Sequence, residues 1–198
     1  IFREDMKERM YTPEFAREAG PRSSLEWMLG HHRRAGLREE IDRKLNVDVE
    51  TYLPGDLLPK VDRTTMAVGL EGRSPLLDQQ VMEFAATLPG PIKFPGGRLK
   101  PVLKDVAGPL LGRDLVERKK HGFSTPMGHW FRGELKDLMH DLLLSDSARR
   151  RGLFRPEFVR KLVRDHETGR ANHHHRLWAL MCLEMWFRVF EDGGRQGP

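Results

Sequence analysis

The residues best suited to chemistry in this sequence lie in one charged stretch, residues 52–78. Glu71 stands between two glycines and before a Ser-Pro pair, which predicts a non-helical backbone and a carboxylate able to point into a cleft. Such a carboxylate can hold an attacking amine or accept its proton. With Arg73 two residues further on, it can instead form a surface ion pair worth less than about 1 kcal/mol. Spacing alone favours that ion pair.

A second cluster of charge follows at residues 118–126, RKKHGFSTP. Its cations, Arg118 to Lys120, are followed closely by Gly122, and glycine lets a backbone approach an anion. Fixed cations stabilise the charge that develops on a phosphoryl or acyl-phosphate group. Consecutive cations are also typical of a solvated face, and the pattern alone favours that interpretation. Our hypothesis is that the two stretches meet and form one wall of a nucleotide-dependent site.

Composition bounds the class of protein. The chain has 198 residues, of which 38% are hydrophobic and 32% charged, with a net charge of +5. That is enough for one globular core. The basic balance suits nucleic acid, an anionic membrane or a phosphorylated small molecule, and does not choose among them. The apolar run at 177–183 is far below the ~20 residues needed to span a membrane. No apolar leader is visible, and a start at Ile1 instead of Met indicates a fragment or processed product.

The single cysteine and the histidine pairs predict no special site. A lone thiol, Cys182, excludes an internal disulfide and is typical of a reducing compartment. It lies in an apolar run with no base beside it, which predicts core filler and not a nucleophile. His31 and His32 are predicted to be solvated because adjacent helical residues point in different directions, and the 173–175 run is predicted to be a surface cluster at a helix start. We assign no metal site.

Hydrophobic periodicity predicts a mainly α chain, in which residues 1–192 form a helical part and 193–198 a disordered tail. Thr12-Pro13, Ser23 or Ser24, and Asp78 carry helix-start signals. Gly108-Pro109 is predicted to end a helix that begins at Lys100. Amphipathic helices are predicted at 134–144 and from Pro156 to Gly169, and the helix at 176–190, apolar on nearly every side, is predicted to lie in the core.

Four motifs, in order along the chain, carry a family resemblance. The first is YLPGDLLPKVDRTTMAVGLEGRSPLLD at 52–78. The second places Lys93 and two glycines before KPVLK at 100–104, and the third is RKKHGFSTPMGHW at 118–130. The fourth is RLWALMCLEMW at 176–186. Together they resemble the synthetase domain of glutamine-dependent asparagine synthases.

The resemblance implies that ATP activates the side-chain carboxylate of aspartate as an acyl-adenylate, and that ammonia from glutamine then displaces AMP. Lys120 matches the lysine that steadies charge during adenylation or amide formation. Glu71 matches the glutamate near the acyl-adenylate and the attacking nitrogen. The other matched positions fall into two groups: candidates for substrate or phosphate binding at Arg118, Arg73, Asp62 and Arg63, and structural motif residues at Asp56, Asp78, Gly122 and Phe123.

The match covers only part of that family. Gly55 and Gly72 stand where an acid and a larger residue are common. The pyrophosphate-binding loop S-G-G-x-D-S, the acidic segment linked to magnesium and nucleotide, and the glutaminase half with its catalytic cysteine do not occur in this sequence. The resemblance therefore implies the multi-helix C-terminal portion of an adenine-nucleotide α-hydrolase-like (PP-loop ATP pyrophosphatase) domain. ATP and Mg2+ would bind mainly to regions outside this chain. The resemblance further implies a cytoplasmic enzyme with no membrane partner, and it allows a homodimer.

Other functions stay open on sequence grounds. Related synthetases and amidotransferases, including beta-lactam synthetases, lasso-peptide cyclases and polysaccharide-modifying enzymes, use other acyl substrates. A basic helical nucleic-acid-binding module would need aromatic residues between exposed cations, whereas the aromatic residues here lie mainly at core spacings. A structural module that docks on another polypeptide would expose a large apolar surface.

Overall fold

The computed structural model describes residues 1–21, 23–34, 36–37, 39–119 and 125–193, and these are mainly helical. Tyr11 and Phe154 form an isolated antiparallel bridge, and no strand occurs within the described ranges. None of the helices in the described ranges is both long enough and apolar enough to cross a membrane.

In chain order the α-helices are α1 (Glu4–Met10), α2 (Pro13–Ala19), α3 (Ser24–Arg34), α4 (Glu40–Val47), α5 (Leu58–Met66), α6 (Gln79–Thr87), α7 (Gly90–Lys93), α8 (Pro101–Leu111), α9 (Arg113–Val116), α10 (Met127–Trp130), α11 (Lys136–Leu144), α12 (Asp146–Arg150), α13 (Pro156–Glu167) and α14 (His174–Trp186). Wider π-helical segments follow α4 and α14 at Asp48–Leu57 and Phe187–Asp192, and 3-10 turns lie at Pro75–Leu77 and Pro95–Gly97.

The chain divides into two compact units. The first, called here the core unit, combines Ile1–Arg22 with Gly122–Pro198. The second, called the middle unit, is Ser23–His121. Most of the predicted tail, residues 194–198, lies outside the described residues.

The predicted helix starts are confirmed. The hydroxyl of Thr12 accepts a hydrogen bond from the N–H of Phe15 at 3.2 Å, and Pro13 follows as the first residue of α2. Ser23 caps α3 in the same way, through the N–H of Glu26 at 3.2 Å. The carboxylate of Asp78 accepts from the first N–H groups of α6 at 2.9 and 3.3 Å. These side chains satisfy backbone donors that have no partner inside the helix.

The predicted end of α8 is wrong. The helix continues through Gly108 and Pro109 and ends at Leu111. A proline ring clashes with the side chain of the residue before it when that residue is helical, and Gly108 has no side chain to clash. Pro109 also lies in the last turn of α8, where few helical bonds remain to be broken.

The hydrophobic core lies in the core unit. Side chains from α11, α13 and α14 form it together with Phe131, and they are Met139, Leu142, Leu143, Val159, Leu162, Val163, Leu177, Leu180 and Met181. Met10 of α1 joins this cluster. The amphipathic spacing of α11 is confirmed at Met139, Leu142 and Leu143, which are buried, whereas Leu138 on the same predicted stripe is 44% exposed.

The last helix is only partly core. Leu177, Leu180 and Met181 are buried, whereas Trp178 and Trp186 are about half exposed. The prediction that this helix lies in the core therefore holds for one face of α14 and is wrong for the other. Cys182 is exposed as well, so the prediction that it fills the core is also wrong.

The middle unit buries little. Among its described residues Gly90 and Pro101 fall in the buried class, and large apolar side chains face solvent. Val68 is 77% exposed and Leu110 is 80% exposed. Phe84, on α6, is 61% exposed.

Candidate functional site

The charged stretch at 52–78 folds as helix α5 followed by a sharp reversal. The N–H of Gly69 donates to the carbonyl of Met66 at 3.1 Å, and the N–H of Leu70 donates to that of Thr65 at 2.9 Å. This pair of bonds is a Schellman motif, and Gly69 takes the left-handed conformation that it requires, with φ of 68°. The chain leaves the helix at once, and Glu71 therefore lies outside it.

The segment after this turn packs back against α5. A Cβ built on Gly72 would lie 3.3 Å from Val61 Cγ1 and 3.5 Å from Thr65 Oγ1. A larger residue at position 72 would require the Val61 side chain to shift slightly. The glycine therefore lets the backbone around Glu71 run close beside the helix.

Glu71 itself forms the surface ion pair that its spacing favours. Its Oε1 lies 2.9 Å from Nη2 of Arg73, and the two side chains are 70% and 81% exposed. An ion pair this exposed holds its members weakly. The carboxylate can therefore exchange Arg73 for another cation or an amine at little cost.

The neighbouring charges of the stretch are also at the surface. Asp62 and Arg63 lie exposed on α5. Asp56 lies 3.7 Å from Lys60 one turn further along, and both side chains are more than half exposed. Asp78 has a structural role, because its carboxylate caps α6.

Exposed apolar side chains accompany these charges. Val68, Leu70 and Met66 follow or end α5 and are 77%, 60% and 58% exposed. Leu76, in the 3-10 turn before Asp78, is 59% exposed. Several large apolar side chains exposed within a short stretch are typical of a surface that binds another molecule or polypeptide.

Lys93, from the second motif, is a structural residue here. Its ammonium group lies 2.7 Å from the carboxylate of Asp42 on α4 and donates to the carbonyl of Ala86 at 3.0 Å. Only 12% of the lysine side chain and 19% of the aspartate side chain are exposed. The ion pair joins α7 to α4, and the bond to Ala86 joins α7 to α6.

A network of ion pairs joins the second motif to the start of the third. Glu117 accepts from the ammonium group of Lys104 at 2.6 Å and from the guanidinium of Arg98 at 3.0 Å. The bond from Lys104, with that from Arg98, lowers the pKa of Glu117. Arg98 also bonds Asp105 at 2.8 Å, and this bond is the largest cause that raises the pKa of Arg98. Sequence reasoning missed Glu117 because its partners are distant along the chain and no motif includes it.

The second cluster of charge is described only at its edges. Arg118 is exposed. Lys120, Gly122 and Phe123 lie outside the described residues, so the meeting of Glu71 and Lys120 stays a prediction. Within the described ranges, no group of three or more His, Cys, Asp or Glu side chains is arranged to hold a metal ion.

The fourth motif builds the core unit. Arg176 donates to the carbonyl of Ile1 at 3.1 Å, and Leu177 is fully buried. Glu184, which is 5% exposed, accepts from both Arg151 and Arg188 at 3.1 Å, as the Glu184–Arg188 spacing allows. Hydrogen bonds from Arg151 to Asp192 and Glu184 raise the pKa of that guanidinium.

The charged motif at 52–78 thus lies on the surface of a helical scaffold. The chain belongs to the asparagine synthase family, whose model matches residues 2–188.

Individual relatives agree with this assignment. A glutamine-hydrolysing asparagine synthetase of Bacillus subtilis (strain 168) is 28% identical over 150 residues, which is 76% of this chain and 23% of the relative. A putative glutamine-hydrolysing asparagine synthetase of Mycobacterium bovis is 32% identical over 155 residues, covering 78% and 24%. The rat (Rattus norvegicus) synthetase is 30% identical over 173 residues, covering 79% and 29%. The chain thus spans about a quarter of the length of these relatives. No solved structure matches it significantly.

Proposed function

We propose that this chain is the C-terminal helical part of the synthetase domain of an ATP-dependent asparagine synthetase. In this proposal the enzyme adenylates the side-chain carboxylate of an aspartate-like acid and releases pyrophosphate. Ammonia from glutamine then attacks the acyl carbon, and AMP leaves with the electron pair of the broken C–O bond. The observation that carries the proposal is the exposed, motif-bearing surface around Glu71 in a chain that the family model covers almost entirely.

Glu71 and Lys120 would carry the chemistry. Glu71 is non-helical and weakly paired, which suits a carboxylate that holds the attacking nitrogen and accepts its proton. Lys120 would stabilise negative charge on the phosphate during adenylation and on AMP as it leaves. Arg118, Arg73, Asp62 and Arg63 remain candidates for binding substrate or phosphate, and the exposure of these four agrees with such a role.

The described residues include no group of three or more His, Cys, Asp or Glu side chains arranged to hold a metal ion, and we derive no step through Mg2+. We propose that ATP and Mg2+ bind mainly to a PP-loop region of the same enzyme, of adenine-nucleotide α-hydrolase-like fold. The exposed apolar side chains beside Glu71 would pack against that region. A glutaminase region would supply the ammonia, and a cytoplasmic location and a homodimer are part of the same proposal.

The first experiment separates the chain from the complete enzyme. With aspartate, ATP and Mg2+, the 198-residue chain alone should release no AMP above the buffer rate. The complete synthetase that contains it, supplied with glutamine, should form asparagine and AMP in equal amounts. AMP release by the chain alone would contradict the proposed location of the nucleotide site.

A pair of lysine variants tests the residue assignment. In the complete synthetase, Lys120→Ala should lower kcat by about 100-fold or more, the size typical of losing one fixed charge at a developing anion. Lys119→Ala, the adjacent lysine outside the motif consensus, is the matched control and should stay within about threefold. Similar losses in both variants would contradict a specific role for Lys120.

Substrate tests distinguish the alternatives. Amide formation on another acid in place of aspartate would identify a related amidotransferase or cyclase of this family. Duplex binding that weakens steeply with salt would favour a nucleic-acid module. Tight association with a second polypeptide, without amide formation, would favour a structural module.

A further inference from the structure

Helix α13 carries a fully buried histidine, His166, that none of the four motifs includes. Its ring meets the ring of Phe131, also fully buried, with centroids 6.2 Å apart and an edge-on orientation. A buried imidazole destabilises the fold unless both of its nitrogens have hydrogen-bond partners. The partners of His166 therefore show what this residue does.

Both ring nitrogens of His166 meet backbone groups. The N–H of His173 lies 3.1 Å from Nδ1, and the carbonyl of Gly128 lies 3.2 Å from Nε2. A backbone N–H can only donate and a carbonyl can only accept, so the ring accepts at Nδ1 and carries its proton on Nε2. The imidazole is neutral, because a second proton on Nδ1 would set two donors against each other.

The surroundings also oppose a positive charge on His166. Burial is the largest cause that lowers its pKa from the ordinary value of 6.5, and the charges of Arg132, His173 and His174 lower it further. The Gly128 carbonyl acts in the opposite direction, since it accepts from the ring. The neutral form is thus the one present at neutral pH.

The backbone that His166 holds is the end of the third motif. Helix α10 is a single turn, in which the N–H of Trp130 donates to the carbonyl of Pro126 at 3.1 Å. Gly128 also lies against Asn172, whose Oδ1 is 3.4 Å from the position of a Gly128 Cβ. A single helical turn has little stability of its own, so its location depends on such contacts.

We propose that neutral His166 is a positioning residue of the ligase: its Nε2–H holds the carbonyl of Gly128 and so sets the location of the Pro126–Trp130 segment. The inference rests on the proposed function, because this segment closes the motif that contains Lys120. His166 does not contact substrate and acts through the backbone that follows the lysine.

The protonation state is tested on the 198-residue chain itself. Nitrogen-15 NMR of the imidazole should show a neutral ring with its proton on Nε2 from about pH 8 down to about pH 6.5, because the pKa is lowered. An imidazolium at pH 7, or a proton on Nδ1, would overturn the inference.

Two conservative variants separate the two hydrogen bonds. The side-chain amide of glutamine occupies roughly the position of Nε2, so its N–H can still donate to the Gly128 carbonyl. The side-chain amide of asparagine is one carbon shorter and occupies roughly the position of Nδ1, so it can bond only the His173 N–H. In the complete synthetase, His166→Gln should keep kcat within about threefold, and His166→Asn should lower it about 10- to 100-fold with the KM for ATP unchanged.

The same variants in the isolated chain provide a readout without activity. Amide hydrogen exchange at residues 128–131 should stay slow in His166→Gln and become faster in His166→Asn, because only the asparagine loses the bond to Gly128. His129→Gln is the matched control, since His129 is exposed on the same turn. It should change neither exchange nor kcat.

Each outcome decides one of the two proposals. If the wild-type synthetase forms no amide on aspartate or on another acid, the proposed function fails, and any role of His166 in a ligase is overturned even where NMR and exchange confirm the hydrogen bonds. If the enzyme is active and a folded His166→Asn variant keeps wild-type kcat, the positioning role alone is overturned. If His166→Asn does not fold, a large loss of kcat in a folded His166→Gln variant overturns it instead.

Discussion

In the core unit, apolar side chains of α11, α13 and α14 are buried against one another, whereas in the middle unit side chains of the same kind face solvent. Leu177 is fully buried, and Leu110 is 80% exposed. Burial of a leucine side chain contributes roughly 1.5–3 kcal/mol, so the core unit has a source of stability that the middle unit uses far less. The exposed apolar surface of the middle unit agrees with the proposal that it packs against another region of the enzyme.

Two carboxylates, one from each unit, differ in exposure in the same way as these leucines. Glu184 is 5% exposed and held by two arginines, and Glu71 is 70% exposed and paired with one. A buried carboxylate cannot leave its partners without a large penalty, while an exposed one can. The buried Glu184 therefore maintains structure, whereas the exposed Glu71 can leave its partner and take part in a reaction.

The largest expected effect concerns Glu71. In the complete synthetase, Glu71→Gln should lower kcat by about 100- to 10,000-fold, because an amide cannot accept a proton from the attacking nitrogen. The thermal midpoint should hardly change, since the exposed ion pair with Arg73 contributes less than about 1 kcal/mol. Glu83→Gln, at an exposed glutamate on α6, is the control. Equal activity in Glu71→Gln and wild type would show that the reaction does not need the exposed Glu71 carboxylate.

A smaller but still large effect is expected for Glu184. Glu184→Ala removes the buried carboxylate to which both Arg151 and Arg188 donate. The variant should therefore lower the free energy of unfolding by on the order of 3 kcal/mol. Urea denaturation of the chain measures this. The control is Glu14→Ala, because Glu14 is 72% exposed and pairs loosely with Arg17. A comparable loss in both variants would show that burial does not distinguish these carboxylates.

Leucine variants test the apolar side of the comparison. Leu177→Ala should destabilise the chain by about 2–5 kcal/mol, through lost burial and the cavity that remains. Leu110→Ala should change the free energy of unfolding by no more than about 0.5 kcal/mol, since its side chain is already in solvent. The same urea titration measures both. A larger loss of unfolding free energy for Leu110→Ala than for Leu177→Ala would contradict the conclusion that the core unit gains more stability from apolar burial than the middle unit.

The smallest expected effect is a pH dependence at Glu117. Its folded pKa is lowered by Lys104 and Arg98, so the unfolded chain binds a proton more readily as pH falls. The stabilisation is therefore complete above the ordinary value of 4.5 and is lost as pH falls through the lowered pKa. The thermal midpoint of wild type should exceed that of Glu117→Gln at pH 7, and the difference should shrink as pH falls below 4.5. The difference at pH 7 should also shrink in about 1 M salt, and a salt-independent difference would contradict an ion-pair origin.

Local signals in the sequence predicted the helix starts. Thr12, Ser23 and Asp78 act on N–H groups within three residues, so short-range patterns contain the whole interaction. The buried stripe of α11 was predictable for a similar reason, because its spacing repeats with the helix. The surface ion pair of Glu71 with Arg73 also spans only two residues.

Interactions between distant residues were not predictable in the same way. The outer face of α14 is as apolar as its inner face, and periodicity does not reveal which apolar side chains find a neighbour, so Cys182 was placed wrongly. The partners of Glu117 are 13 and 19 residues away, and the Gly128 partner of His166 is 38 residues away, separations that no local pattern encodes. The family motifs identified the exposed stretch around Glu71, and the meeting of Glu71 with Lys120 stays a prediction.

The core unit is built from the two ends of the chain, and this has a consequence for how it forms. Residues 1–22 and 122–198 must find each other across an insertion of roughly 100 residues. For a flexible insertion, joining the ends costs an entropy that grows with the logarithm of its length, so shortening it from about 100 to about 10 residues would recover about 2 kcal/mol. Contacts such as the Tyr11–Phe154 bridge and the bond from Arg176 to Ile1 therefore form late and slowly, unless the insertion is already compact when its ends come together.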